Sequence, residues 1–334
     1  MRAGAGILRR REGLLVHLEA GGASGWGEAA PLPGFSRETL GEAARALREA
    51  KPRILGRELQ EATIPGGELP PSARFALELA RLSLEAASSG RPLHILLSGE
   101  AASGVSVCGL LEGPPERVLS GAGRMREAGY EAVKLKVGRA DPAEEAALVR
   151  ELSALLGGRV RLRLDANRAW DLEEALDFCR AIGGVPLDYL EEPLASPEGL
   201  PRLAEVSGVP LALDETLLGL EPEGLARFCY ARAVVLKPTL LGGLSRSLRF
   251  AREARRAGMV PVASSAYESG VGTLGLLALA ASLGDAPAGL DTYRSLKDDV
   301  LRPPLPLAGP RAGAAALFGE RRAVVVERLE EVAA

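Results

Sequence analysis

From about Gly104 onward the chain repeats one pattern, a short apolar run followed by a helical period of apolar positions. The runs lie near Val105–Leu110, Ala132–Val137, Val160–Asp165, Leu187–Glu191, Leu211–Asp214, Ala233–Lys237, Val260–Ser264 and Ala288–Asp291. Runs this short and this continuously apolar suit parallel strands covered on both faces. Helical periods are predicted between them at Pro115–Ala128, Pro142–Leu156, Leu172–Ala181, Pro222–Cys229 and Leu244–Ala257. Gly129, Gly157 and Gly258 stand where such helices end. Eight strand starts, each spaced by a βα unit, predict a closed α/β barrel. An open doubly wound sheet competes, but it calls for a glycine fingerprint after its first strand. The stretch Gly109-Leu110-Leu111-Glu112-Gly113 does not provide one.

The first hundred residues have a different rhythm. Leu14–Leu18 and Gly25–Glu28 read as two strands about a Gly21-Gly22 turn. Helical periods follow at Arg37–Glu49, with Ser36 as its expected cap, and at Pro71–Ala87, joined by a breaker-rich stretch over Ile64–Pro70. Ala323–Val326 is expected to be a last strand returning to this α+β module.

Composition narrows the function classes. A length of 334 residues with 47% hydrophobic content is enough for a barrel and a smaller companion. The net charge of -3 and the scattered arginines give no footprint for nucleic acid. No stretch approaches about 18 uninterrupted apolar residues and the start lacks a signal-peptide pattern, so neither a membrane nor export is expected and a cytoplasmic location is. Cys108, Cys179 and Cys229 lie far apart and read as small core residues. His17 and His94 stand away from the strand ends and read as packing or surface residues.

The charges at the strand ends carry the chemistry. Asp165, Glu191 and Asp214 each close an apolar run, and Lys134, Lys136 and Lys237 stand at the ends of neighbouring ones. A single such acid is most often a helix cap and a single such lysine a solvated charge. Three acids on successive strands, at the rim where barrel enzymes keep their catalytic groups, point instead to a cation site. Hard oxygen donors suit Mg2+, whereas zinc calls for His or Cys. Period-two alternation turns Lys134 and Lys136 to the same inner face, where each lowers the other's affinity for a proton. Such a centre can take an α-proton from a small carboxylate substrate and hold the resulting enediolate between a cation and a second lysine. Arg163 shares the parity of Asp165, and either a clamp on a substrate carboxylate or an ordinary strand ion pair fits it. Ser264, Ser265 and the small residues Gly270–Gly272 look like a lip that could receive an anion, though a plain turn would read the same way.

The motifs resemble the enolase superfamily, and within it the o-succinylbenzoate synthases. The resemblance rests on Lys134-Leu135-Lys136, on Asp165-Ala166-Asn167-Arg168, on Glu191-Glu192-Pro193, on Asp214-Glu215-Thr216 and on Lys237-Pro238-Thr239. Gly25-Trp26-Gly27-Glu28, Pro31–Ser36 and Ser264–Ser269 extend it over about residues 12–293, and it departs before Gly13, where the stretch is short for that family's cap. The resemblance implies a (β/α)7β modified TIM barrel over 101–293. It also implies an α+β capping domain over 1–100 and a segment over 294–334 that returns to the cap. It implies Mg2+ held by Asp165, Glu191 and Asp214, with Lys136 as base and then acid and Lys237 stabilising the enediolate. Asn167 and Glu215 would orient ligands and lysines. The implied reaction is syn dehydration of 2-succinyl-6-hydroxy-2,4-cyclohexadiene-1-carboxylate to 2-succinylbenzoate, a step of menaquinone biosynthesis.

Two alternatives stand beside it. Two lysines on opposite faces also suit a racemase or epimerase acting on N-succinylamino acids. The Asp-x-Asp with which dipeptide epimerases of the superfamily hold an ammonium is not supplied by Leu290-Asp291-Thr292-Tyr293. A non-catalytic binding barrel would need no base at all.

Overall fold

The structure is a computed structural model and describes residues 2–3, 6–7, 10–57, 64 and 69–332. The join expected over Ile64–Pro70 therefore lies largely outside the described residues. β1 (Arg2–Ala3) pairs antiparallel with β2 (Gly6–Ile7). β3 (Leu14–Ala20) and β4 (Ala23–Ala29) form the expected hairpin, with Gly21 and Gly22 at φ of 56° and 79°. α1 spans Leu40–Ile54, α2 Pro71–Ser89 and α3 Leu93–Ser98. The reason for Gly-Trp-Gly in β4 is close approach: a Cβ on Gly25 or Gly27 would lie 2.2 or 1.9 Å from backbone atoms of α2. The cap of α1 is Thr39, in a reciprocal box with Glu42. Ser36 instead accepts a hydrogen bond from the Leu32 amide at 2.8 Å and closes the preceding turn.

The first expected barrel strand divides in two. β5 (Gly104–Ser106) pairs antiparallel with the late segment Arg311–Gly313, and β6 (Gly109–Leu111) enters the barrel. The βα order continues through α4 (Pro115–Glu127), β7 (Ala132–Lys136), α5 (Pro142–Leu156), β8 (Arg161–Asp165) and α6 (Leu172–Ile182). Next come β9 (Tyr189–Glu191), α7 (Leu200–Ser207), β10 (Leu211–Leu213) and β11 (Ala233–Leu236). The unit closes with α8 (Pro238–Leu241), α9 (Leu244–Arg256), β12 (Val260–Ala263) and α10 (Gly270–Leu283). β6 to β12 form one parallel sheet in chain order. Both of its edges bond to residues 288–289, through bridges Val107↔Ala288 and Ser264↔Gly289, so the eighth strand is reduced to the two residues that close the barrel. The stretch expected as a helix at Pro222–Cys229 is a 3-10 segment, Pro222–Phe228.

α10 went unread in the sequence because its Gly, Ala and Leu residues are buried on every face and leave no polar stripe to mark a period. Its first turn includes the Gly270–Gly272 expected as a lip, and the amides there are already taken. Glu28 accepts from Ser269 and Gly272 at 2.9 and 2.8 Å, and Asp299 accepts from Gly270 at 2.9 Å. These acids come from the hairpin and from the tail, so α10 is a junction between three parts of the chain, where helix-end amides favour negative charge.

In the tail, β13 (Leu301–Arg302) pairs antiparallel with β15 (Ala323–Val324), and β14 (Arg311–Gly313) is the partner of β5. The last strand thus returns to the tail itself, not to the hairpin. Cys108 and Cys179 are buried, while Cys229 is exposed and no core residue. His94 stacks on Phe318 and His17 on Trp26, both away from the strand ends. No described helix is long and apolar enough to cross a membrane.

Candidate active site

Register brings the charged residues together. Lys136, Asp165 and Glu191 are the last residues of β7, β8 and β9 and stand side by side in the parallel ladder. Asp214 and Lys237 each follow immediately after β10 and β11. Asp165, Glu191 and Asp214 are all buried. The Lys134 Nζ donates to both oxygens of Glu191 at 3.0 Å and lies 3.2 Å from Asp165 Oδ2. Lys237 pairs with Asp214 on the other side. The Lys136 Nζ donates to Asn167 Oδ1 at 2.8 Å and lies 3.7 Å from Asp165 Oδ2. Asn167 in turn donates through Nδ2 to Glu215 Oε1 at 3.2 Å. A chain Glu215, Asn167, Lys136 therefore aims one amine.

The proton affinities differ by position. Burial and then Lys134 and Lys237, with Arg139, hold Lys136 below the ordinary lysine value against the pull of Asp165. Burial works against the charge of Lys134 too, but Asp165 and Glu191 overturn it and raise that lysine well above its usual range. Lys237 is raised likewise, burial being overcome by Asp214 and Glu215. Asp165 is pulled down to about 2, because Lys134, Lys136 and Lys237 outweigh its burial. Glu191 is pushed up to about 8 by burial and by Asp165, and Asp214 up to about 7 by burial that Lys237 only partly offsets.

Among the described residues no three acids, histidines or cysteines stand at metal-holding spacing, and the Lys134 and Lys237 amines sit directly on the carboxylate oxygens. The donor set nevertheless fits a hard cation: three buried carboxylates stand together, and burial pushes Glu191 and Asp214 toward the protonated form, a cost that a bound cation would relieve. Mg2+ affinity is accordingly expected to rise with pH up to about 8 and then level off. The two raised carboxylates must lose their protons to bind, so affinity should fall about tenfold for each unit below that point while one proton is displaced. Calorimetric titration of Mg2+ between pH 6 and 9 measures this, and a flat profile would remove Glu191 and Asp214 from the ligand set.

The remaining predicted residues lie elsewhere or are already engaged. Arg163 is inside the barrel but two residues below the rim, where it donates to Asp188 at 2.8 Å and to the Pro287 carbonyl at 2.7 Å and lies over the Tyr189 ring. Asp188 and Pro287 precede their strands, so the guanidinium points to the N-terminal floor, and of its two readings the ion pair is the one formed. Ser265 Oγ donates to Glu268 at 2.8 Å and accepts from the Tyr267 amide, which makes it a fastener of its own loop. Ser264 is buried at the rim, with its hydroxyl 3.3 Å from the Gly289 carbonyl.

Sequence reasoning passed over Glu192. This buried carboxylate accepts from the amides of Asp214 and Thr216 at 2.8 and 2.7 Å and from Arg168 at 3.1 Å, tying three strand-end loops together. Asn167, Arg168 and Glu192 all adopt positive φ, at 45°, 62° and 39°, strain of about 1–3 kcal/mol each that such bonds sustain. The available signal was the second acid of Glu-Glu-Pro, directly after a ligand candidate.

The family profile described as Enolase C-terminal domain-like matches residues 117–315, and that described as MenC, N-terminal domain matches residues 5–84. The o-succinylbenzoate synthase of Yersinia pseudotuberculosis serotype I (strain IP32953) is 33% identical over 309 residues, 90% of this chain and 89% of that one. The chain belongs to the o-succinylbenzoate synthase family of the enolase superfamily. A further relative of the family member is the chloroplastic protein PHYLLO of Arabidopsis thaliana, 33% identical over 339 residues. The match covers 87% of this chain, which spans only a fifth (20%) of that protein's length. The family fold also appears in the L-Ala-D/L-Glu epimerase from Bacillus subtilis, with a TM-score of 0.79, 24% identity, and coverage of 92% of this chain and 90% of that one. That likeness speaks to the fold alone, and the reaction has to be argued from the site.

Proposed function

We propose that this enzyme catalyses the Mg2+-dependent syn dehydration of 2-succinyl-6-hydroxy-2,4-cyclohexadiene-1-carboxylate to 2-succinylbenzoate, a step of menaquinone biosynthesis. The observation that carries the reading is the pairing of unlike lysines across one rim. Lys136 is aimed by Asn167 and held below its usual proton affinity, while Lys237 is held as a cation by Asp214. The unprotonated Lys136 amine removes the α-proton, and the ammonium so formed then protonates the departing hydroxyl on the same face, which makes the elimination syn. Lys237 stays charged and stabilises the negative charge that develops on the substrate carboxylate. Asp165, Glu191 and Asp214 would hold Mg2+, which when bound supplies Lewis-acid stabilisation to that same carboxylate. Aromatisation of the ring drives the reaction. A cytoplasmic enzyme with a small-molecule carboxylate as its partner is the corollary, and the hairpin module with the tail would serve as the cap.

The test is a product assay following the ultraviolet change on aromatisation, with and without a chelator. No product with Mg2+ present would end the reading. Asp214→Asn is expected to weaken Mg2+ binding by on the order of a hundredfold, since it removes one of three anionic ligands. Unchanged affinity by calorimetry would exclude Asp214 as a ligand.

Racemisation of N-succinylamino acids remains a second reading, favoured by the Lys136 and Lys237 amines, which stand against different acids, Asp165 and Asp214. Loss of α-deuterium from such substrates would reveal it. Asp291, which could have anchored an ammonium, accepts the Leu110 amide at 2.9 Å and is built into the wall.

A further inference from the structure

A cavity of about 810 Å3 opens beside the candidate centre, between the segment Gly34–Arg37 and the loops that follow β7, β8 and β10. It shares Asn167 with the reacting lysine, whose amine Asn167 holds at 2.8 Å. Four arginines line it, and three are committed to the protein. Arg37 donates to the Leu218 carbonyl, Arg168 to Glu192 and Thr216, and Arg227 lies over the Phe228 ring. The fourth, Arg139, makes no side-chain hydrogen bond or ion pair among the described residues.

Arg139 is also held in place. The buried carboxylate of Glu145 accepts the amides of Gly138, Arg139 and Ala140 at 2.7, 2.9 and 3.1 Å, which fixes the loop that carries it. Gly138, at φ 76°, seats that loop on the next one so closely that a Cβ would lie 2.4 Å from the Ala169 Cβ. With the backbone fixed, only the side chain of Arg139 remains to be ordered when it binds an anion. The cavity it lines also holds Asn167 and Glu215, the two residues that aim Lys136, so Arg139 stands at an opening beside the centre.

The substrate proposed above carries two carboxylates. One must sit among the lysines and acids, and the other, at the end of the succinyl chain, brings a full negative charge that needs a partner. Resting on that reading, we propose that Arg139 binds the succinyl carboxylate and selects for substrates with a second anionic group on a short chain. Arg139 is exposed, so the charge-assisted hydrogen bond is partly screened by solvent and is worth about tenfold in affinity.

The test compares 2-succinylbenzoate with 2-butanoylbenzoate, which has the same chain length and no tail carboxylate. Dissociation constants are measured by calorimetry with Mg2+ present, for the unaltered chain and for Arg139→Gln and Arg139→Lys. The expected result is a preference of about tenfold for the succinyl compound that collapses in Arg139→Gln and is partly restored in Arg139→Lys. A preference that survives in Arg139→Gln, or none in the unaltered chain, overturns the assignment. Turnover of the cyclohexadiene acid by the unaltered chain separates the two claims. With turnover present, such a result removes Arg139 alone; with turnover and product binding both absent, the dehydratase reading falls and Arg139's role with it.

Discussion

Replacing Lys136 with alanine is expected to lower kcat for dehydration by about a thousandfold or more, the range of a lost acid-base group used twice in one turnover. Mg2+ affinity should change little. The Lys136 amine is bonded to Asn167 and stands 3.7 Å from Asp165, whereas the amines seated directly on the acids belong to Lys134 and Lys237. The split between lost chemistry and retained cation binding is the diagnostic. Single-turnover kinetics combined with calorimetry measures both, and appreciable turnover in the variant would count against Lys136 as the base. Asn167→Leu offers a graded version, since the amine would remain but lose its director. Its pH-rate profile should shift as well as its rate.

The second large effect concerns the floor of the barrel. Arg163→Ala is expected to destabilise the fold by about 3–5 kcal/mol, the range found when one partner of a buried ion pair is removed. Arg163 is among the largest fully buried side chains, and its loss strips Asp188 of its cation and the Pro287 carbonyl of its donor, besides leaving a cavity. Denaturant unfolding followed by circular dichroism measures the loss. A variant as stable as the parent, with KM raised instead, would return Arg163 to the substrate.

Arg163 also shows where sequence reading stops. Strand alternation tells which residues face the barrel interior, and it brought Lys136, Asp165 and Glu191 to one rim because each ends its strand, with Asp214 and Lys237 just after theirs and Lys134 one inward position below. Height within the interior is a different matter. A long side chain two residues before the rim can reach up, as Lys134 does, or down, as Arg163 does, and the Pro287 carbonyl that helps draw Arg163 to the floor lies 124 residues away. The same holds for α10, whose uniformly buried residues gave no period. It holds too for its first turn, whose amides are claimed by Glu28 and Asp299, more than 240 residues before and about 30 after it. The aiming of Lys136 by Asn167 was legible through resemblance to the superfamily, while the work of Glu192 was hidden behind its neighbour in the Glu-Glu-Pro motif.

The acids on the first turn of α10 set a condition on how such a chain can be rearranged. Ser269, Gly270 and Gly272 would be left with bare amides if the barrel were cut away from its flanking pieces. A barrel fragment made alone should therefore misfold or aggregate, and a chimaera carrying a foreign cap would need an acid in the place of Glu28 to dock.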